Sequence, residues 1–189
     1  GVFIATAKDD DKLPDGTLQK TAKRTDYMSA GYGSLFIEKT LGDRFTIGID
    51  YVPQSLETES TEVRRTHITT AYTEVTSSVE NKIQVDFKDL TTYYAAFNVN
   101  ENLYIKGGVA TVDVITNENL GTGGKYANTN LDATMFGFGY NKSMDNGVFF
   151  RLEANYLDFD GASLSSGDHT ISLTSLHGLN GKLSIGRSF

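Results

Sequence analysis

Alternation with a period of two residues, sustained to the last residue, limits this chain more than any other feature. In residues 176–189, Leu179, Gly181, Leu183, Ile185 and Phe189 share one face. Asn180, Lys182, Ser184, Gly186 and Ser188 share the other. Such a stretch is a β-strand with one apolar side and one small, polar side. Chain ends usually fray, so a strand that runs to the final residue needs a fixed partner. A sheet closed on itself supplies one, because its last strand pairs with its first.

The rest of the chain repeats the pattern. Residues 2–7 are a short apolar first strand and 27–40 a second. The third, 45–53, sets Phe45, Ile47, Ile49 and Tyr51 against Thr46, Gly48 and Asp50. The fourth, 82–98, shows Thr91, Tyr93, Ala95 and Phe97 on its apolar face, and Ile83, Val85 and Phe87 are expected to continue that face. The fifth sets Leu103, Ile105, Gly107 and Val109 against Tyr104, Lys106, Gly108 and Ala110. The sixth sets Thr134, Phe136, Phe138 and Tyr140 against Met135, Gly137 and Gly139. The seventh sets Phe150, Leu152, Ala154 and Tyr156 against Phe149, Arg151, Glu153 and Asn155. In the second strand Glu38 puts Leu35 and Ile37 on the apolar face, which sends Tyr32 and Phe36 the other way and leaves the register open.

The connections alternate in length. Residues 8–26, 54–81, 115–130 and 160–170 are long and polar, whereas 41–44, 99–102 and 142–147 are tight turns. Segment 54–81 is rich in Thr, which favours strands, and is expected to form a hairpin beyond the main sheet. Eight strands joined in this order give an all-β, antiparallel, up-and-down barrel with its tight turns at one end. Residues 1–189 form a single domain on this reading.

The polar faces decide which side is interior. They carry Asp50, Lys106, Arg151, Glu153 and Lys182 among many small residues. A soluble exterior would carry denser Lys and Glu and fewer glycines. A Lys or Arg facing lipid at mid-depth costs about 2–4 kcal/mol. These five residues are therefore expected to form a charge network in the lumen, with Glu38 a further candidate. Glu153 and Lys182 are expected at one depth, as partners in that network, with Arg151 competing.

With this pattern in place the chain resembles the small eight-stranded bacterial outer-membrane barrels of the OmpA and OmpX type. Phe189, with Ile185 and Leu183 before it, resembles their C-terminal insertion signal, although Arg187 stands where an aromatic or apolar residue is usual. The resemblance implies an integral, transmembrane barrel with both termini periplasmic, tight turns in the periplasm and long loops outside the cell. It also implies outer-membrane lipid, lipopolysaccharide and the barrel-assembly machinery as partners, with an unidentified extracellular ligand at the loops.

Composition sets further bounds. The net charge of −7 comes with no basic block, which argues against nucleic acid as a partner. There is no cysteine, so no disulfide framework or thiolate metal site. A mean hydropathy of −0.30 does not exclude a membrane barrel, since only alternate residues of its strands face lipid.

Candidate chemistry is sparse. Ser175 and His177 invert a His-x-Ser pair used by one lipid A-modifying barrel family, but no orienting acid is evident in the sequence. They read better as polar residues near a membrane rim. The acidic stretches at 9–11 and at Asp158 and Asp160 could hold a divalent cation but lack a full calcium-loop spacing. Gly121 to Gly124 lacks the strand–loop–helix context of a phosphate cradle. Arg64 to His67 follows three glutamates and reads as a solvated loop. Tyr51, Tyr93, Tyr104, Tyr140 and Tyr156 are expected in the wall or girdle. No cofactor, metal or catalytic site is expected. A structural or surface-exposed barrel with a filled lumen is the favoured function; a small passive pore and a lipid A-modifying enzyme are the alternatives.

Overall fold

The computed structural model describes the backbone of residues 1–12, 24–57, 61–67, 77–119, 125–166 and 169–189. The glycines at 121–124 lie outside the described residues, as do the side chains of the acids at 9–11, of Arg64 to His67 and of Ser175. In chain order the strands are β1 (Val2–Lys12), β2 (Arg24–Gly31), β3 (Leu35–Leu41), β4 (Phe45–Val52), β5 (Leu56–Glu57), β6 (Thr61–His67), β7 (Ser77–Asn98), β8 (Leu103–Asn119), β9 (Thr129–Ser143), β10 (Val148–Phe159), β11 (Ala162–Ser166) and β12 (His169–Arg187). No helix is present among the described residues, and none long and apolar enough to cross a membrane.

Every ladder is antiparallel, and the strands form one curled sheet in the order β2-β1-β12-β10-β9-β8-β7-β4-β3. Its two ends, β2 and β3, are consecutive pieces of the expected second strand, interrupted at Tyr32, Gly33 and Ser34. The two ends of the curled sheet are therefore joined by the chain itself, not by a ladder. Last pairs with first as expected, from Lys12 with Thr170 to Val2 with Gly181. Beyond Gly181 the ladder to β1 stops, and residues 182–187 are paired on the β10 side only.

The long connections are shorter than the sequence suggested, because pairing continues into them. β7 and β8 stay paired up to Lys82 and Asn119. β6 folds onto the start of β7, which gives the hairpin expected within 54–81, and β11 folds onto β12. The tight turns are held locally. Gly42 and Gly147 take positive φ, of 68° and 81°, which costs glycine nothing. Asn100 accepts the amide of Leu103 at 2.7 Å and Asn146 that of Val148 at 3.0 Å, side chains standing in for backbone turn bonds.

Alternation sorts the side chains as the sequence implied. Leu35, Ile37, Ile105, Phe138, Leu152 and Leu183 are exposed on the outer face, while Tyr32, Lys106, Glu153, Asn155 and Lys182 are buried inside. The open register of the second strand resolves with Leu35 and Ile37 outward and Tyr32 inward. Phe36 also points inward, its ring 5.2 Å from the ammonium of Lys182.

One strand departs from the sequence reading. The β7–β8 register shifts between Lys88 and Thr91, inserting one extra residue on β7. Asp89 takes a φ of 54°, a left-handed conformation that Asp tolerates, and accepts the hydroxyl of Tyr51 at 2.5 Å. A single inserted residue reverses every later side chain. Val85 and Phe87 therefore do not continue the outer face of Tyr93 but pack on the interior cluster. Ile83's side chain lies outside the described residues.

Candidate functional site

The interior is layered. Toward the tight turns it is charged and aromatic. Toward the loops it is apolar, built from Val52, Leu90, Val112, Leu131, Met135, Leu157, Phe159 and Leu176. The sequence reading missed this upper layer, since Leu157 and Phe159 lie past the segment read for β10.

The lower layer starts from where the strands aim their side chains. Glu38 on β3 receives Arg151 on β10 through two bonds, of 2.6 and 3.0 Å, and the Tyr94 hydroxyl at 2.6 Å. The Arg151 guanidinium sits among the rings of Phe149, Tyr104 and Phe36, at 4.9, 5.2 and 5.5 Å. A planar, delocalised cation suits both the carboxylate fork and the ring faces. Glu153 on β10 accepts Lys106 on β8 and the Tyr104 hydroxyl, each at 2.7 Å. Lys106 also lies 4.4 Å from the ring centre of Tyr94. Lys182 on β12 pairs with Asp50 on β4, and Asn180 donates to the Tyr32 hydroxyl.

Three cations thus meet three carboxylates, all at most 14% exposed. Charges taken out of water need such partners, because an isolated one is expensive. Glu153 and Lys182 are direct partners in the β10–β12 ladder, but their ion pairs run elsewhere, to Lys106 and to Asp50. The expected competition by Arg151 for Glu153 is replaced by its fork on Glu38.

Small residues make room for these rings. Tyr94 faces Gly48, Tyr104 faces Gly139 and Phe149 faces Gly186 as direct cross-strand partners. A Cβ at any of these glycines would run into the ring opposite. The inner-face glycines are the space into which the aromatics fold. Between the layers a small cavity is lined by Asp50, Asn155, Leu157, Asn180 and Lys182, among others.

On the outer wall, Asp158 and His177 are cross-strand partners. The Asp158 carboxylate lies 2.8 Å from His177 Nδ1, and the Tyr156 hydroxyl also lies 2.8 Å from that nitrogen, with the two rings stacked 5.8 Å apart. The expectation that no acid orients His177 is thereby corrected: Asp158 was hidden because it belongs to a different strand. Among the described residues no group of three or more His, Cys, Asp or Glu could hold a metal ion. Tyr51, Tyr93, Tyr140 and Tyr156 stand on the outer wall, whereas Tyr104 is 5% exposed and belongs to the interior.

No protein-family model matches the chain, and no curated protein does. Among solved structures it is similar to the outer membrane protein OprG from Pseudomonas aeruginosa, at 15% identity and a TM-score of 0.46, over 100% of this chain and 97% of that one. It is also similar to Ail, the attachment invasion locus protein of Yersinia pestis, at 13% identity and a TM-score of 0.35, over 96% of each chain.

Proposed function

We propose that the chain is a non-enzymatic, single-domain barrel integral to the bacterial outer membrane, with a plugged lumen and recognition carried by its loops. The observation that supports this is the inversion of its faces. Large apolar side chains cover the outside, while the inside holds three ion pairs. Water would reward the opposite arrangement, and lipid rewards this one. Outer-membrane lipid and lipopolysaccharide are then the surroundings of the wall, and the barrel-assembly machinery the route of insertion. The termini and tight turns would face the periplasm and the hairpins β6–β7, β8–β9 and β11–β12 the exterior.

The layered lumen favours a structural or surface role over a pore. The charged layer is neutral overall, and the apolar layer above it gives ions no polar path. Two measurements test the reading. The protein extracted in mild detergent should migrate faster on a denaturing gel unboiled than boiled, as a folded barrel does. An epitope placed near residue 70, outside the described residues, should be detected on intact cells, and one placed at Glu101 only after the outer membrane is broken. Equal mobility in both gels would remove the barrel, and the reverse labelling would invert it.

A further inference from the structure

Two amide oxygens stand side by side on the inner wall, each in need of a donor. Asn155 on β10 and Asn180 on β12 are directly opposite in the ladder, and both line the cavity between the interior layers. The Oδ1 atom of each is buried and has no hydrogen-bond partner among the described residues. Asn155 as a whole is only 5% exposed. A bare buried acceptor is costly, and two acceptors cannot satisfy each other. Arg151 Nε and Ser184 Oγ also face each other without partners, but they are a donor and an acceptor, complementary to one another.

The two amides are held in place. Asn180 donates its Nδ2 to the Tyr32 hydroxyl, which turns its oxygen the other way. The Asn155 oxygen lies over Gly137, its ladder partner on β9, where a Cβ would displace it.

The cavity they line has a volume of about 20 Å³. One water molecule needs about 10–15 Å³, so there is room for one and little more. Asp50, Lys106 and Lys182 supply its charged lining, and Val52, Met135 and Leu157 its apolar lining. Charge then selects the occupant. A cation would lie beside two ammonium groups, and an anion beside Asp50 and both amide oxygens. Asp50 is already paired with Lys182, and Lys106 with Glu153, so the surroundings are neutral. A neutral molecule of this size with two donor hydrogens is water.

We propose that the cavity is the site of a single buried water molecule, which donates one hydrogen to Asn155 Oδ1 and the other to Asn180 Oδ1. Directly opposite side chains have Cβ atoms about 4.5–5.5 Å apart, a span that one molecule bonded to both can bridge. The lone pairs of the water are left for the ammonium of Lys106 or Lys182, each of which carries donor hydrogens beyond the one given to its carboxylate. The water thus joins β10 to β12 and, through Asn180, to Tyr32 at the break between β2 and β3. It completes the charged layer at the level where the apolar layer begins. Its slow exchange rests on the plugged lumen proposed above: cut off from both ends, it leaves only when the wall opens, on microsecond or longer timescales.

The full chain, folded in detergent micelles and crystallised from them, tests the site. A high-resolution density map should show one peak within about 3.2 Å of both amide oxygens. Oxygen-17 relaxation dispersion in micelles should count one long-lived water fewer in Asn155→Leu than in the wild type. The gel shift checks that this variant folds, and the wild-type density decides alone if it does not. A cavity without density, a direct bond between the two amides, or an ammonium of Lys106 or Lys182 turned onto their oxygens would each overturn the proposal. Density at the site with exchange faster than about a microsecond would keep the site and overturn the plugged lumen instead, so the two failures are distinguishable.

Discussion

Glu153 and Lys182 face each other across the β10–β12 ladder, and each bonds instead to a strand farther round the wall. Inner side chains of a narrow barrel converge on the axis. Their best partners can therefore come from strands that are not neighbours. Lys106 reaches Glu153 from β8, two places round from β10, and Asp50 reaches Lys182 from β4, farther round still. The ion pairs thus tie the wall across its interior, which ladder bonds alone do not.

Double-mutant cycles should separate these pairings. Glu153→Gln with Lys106→Met should give a coupling of about 0.5–3 kcal/mol. Glu153→Gln with Lys182→Met, ladder neighbours whose ion pairs run to Lys106 and Asp50, should give a smaller coupling than the Lys106 cycle. Urea unfolding in lipid vesicles, followed by the gel shift, measures both. A larger coupling to Lys182 would show that ladder neighbours, not cross-lumen partners, carry the energy.

The ring-over-glycine pairs predict a sharp contrast. Gly139→Ala places a methyl group in the Tyr104 ring, whereas Gly181→Ala meets nothing within 4 Å. Overpacking of a filled interior typically costs about 1–3 kcal/mol. Gly139→Ala should lose that much and Gly181→Ala almost none, in the same unfolding assay. Gly139→Ala with Tyr104→Phe should not recover the loss, because the clash involves the ring and not only the hydroxyl.

Much of this architecture was legible in the sequence because a period-two strand exposes both faces at once. Asp50, Lys106, Arg151, Glu153 and Lys182 could all be placed on one side of the wall before any coordinates. Their partners could not, since pairing across a lumen depends on curvature that alternation does not encode. The bulge at Asp89 left no glycine or proline to announce it, so the inward turn of Phe87 was missed. Asp158 stayed invisible as a partner of His177 for a related reason: register between distant strands is set by the turns and the closure.

The two interior layers should resist opening independently. Glu38→Ala with Arg151→Ala removes the fork and its ring-stacked cation but leaves Val112, Leu157 and Phe159 in place above. In planar bilayers the wild type and this double variant should both remain closed. Adding Leu157→Ser and Phe159→Ser should raise conductance. Steady conduction by the charge-layer variant alone would show that the apolar layer does not seal the lumen.

The outer-wall pair should matter little to stability and, on the non-enzymatic reading, to lipid chemistry. Asp158 and His177 are half exposed, and such pairs contribute about 0–1 kcal/mol. His177→Ala should therefore unfold within about 1 kcal/mol of the wild type. Cells making either protein should yield lipid A of the same mass. A mass change that depends on His177 would revive the enzyme alternative, with Asp158 as its orienting acid.

Phe189 separates assembly from stability. The proposed insertion signal comprises Leu183, Ile185 and Phe189, but only the first two belong to a paired strand. β12 ends at Arg187, and Phe189 is fully exposed beyond it, so the folded wall gains almost nothing from its ring. Ser188 is the last residue tied down, its amide bonded to the Gly147 carbonyl at 2.9 Å. If the aromatic serves as a recognition mark for the assembly machinery, deleting Phe189 should reduce the amount of barrel reaching the outer membrane several-fold. The same truncated chain, refolded in detergent, should keep its gel shift and its urea midpoint. Leu183→Ala should behave differently, since Leu183 lies in the ladder and on the outer face: yield and midpoint should fall together. A truncated chain that reached the membrane at full yield would remove Phe189 from the signal, and a lowered midpoint would make its role structural.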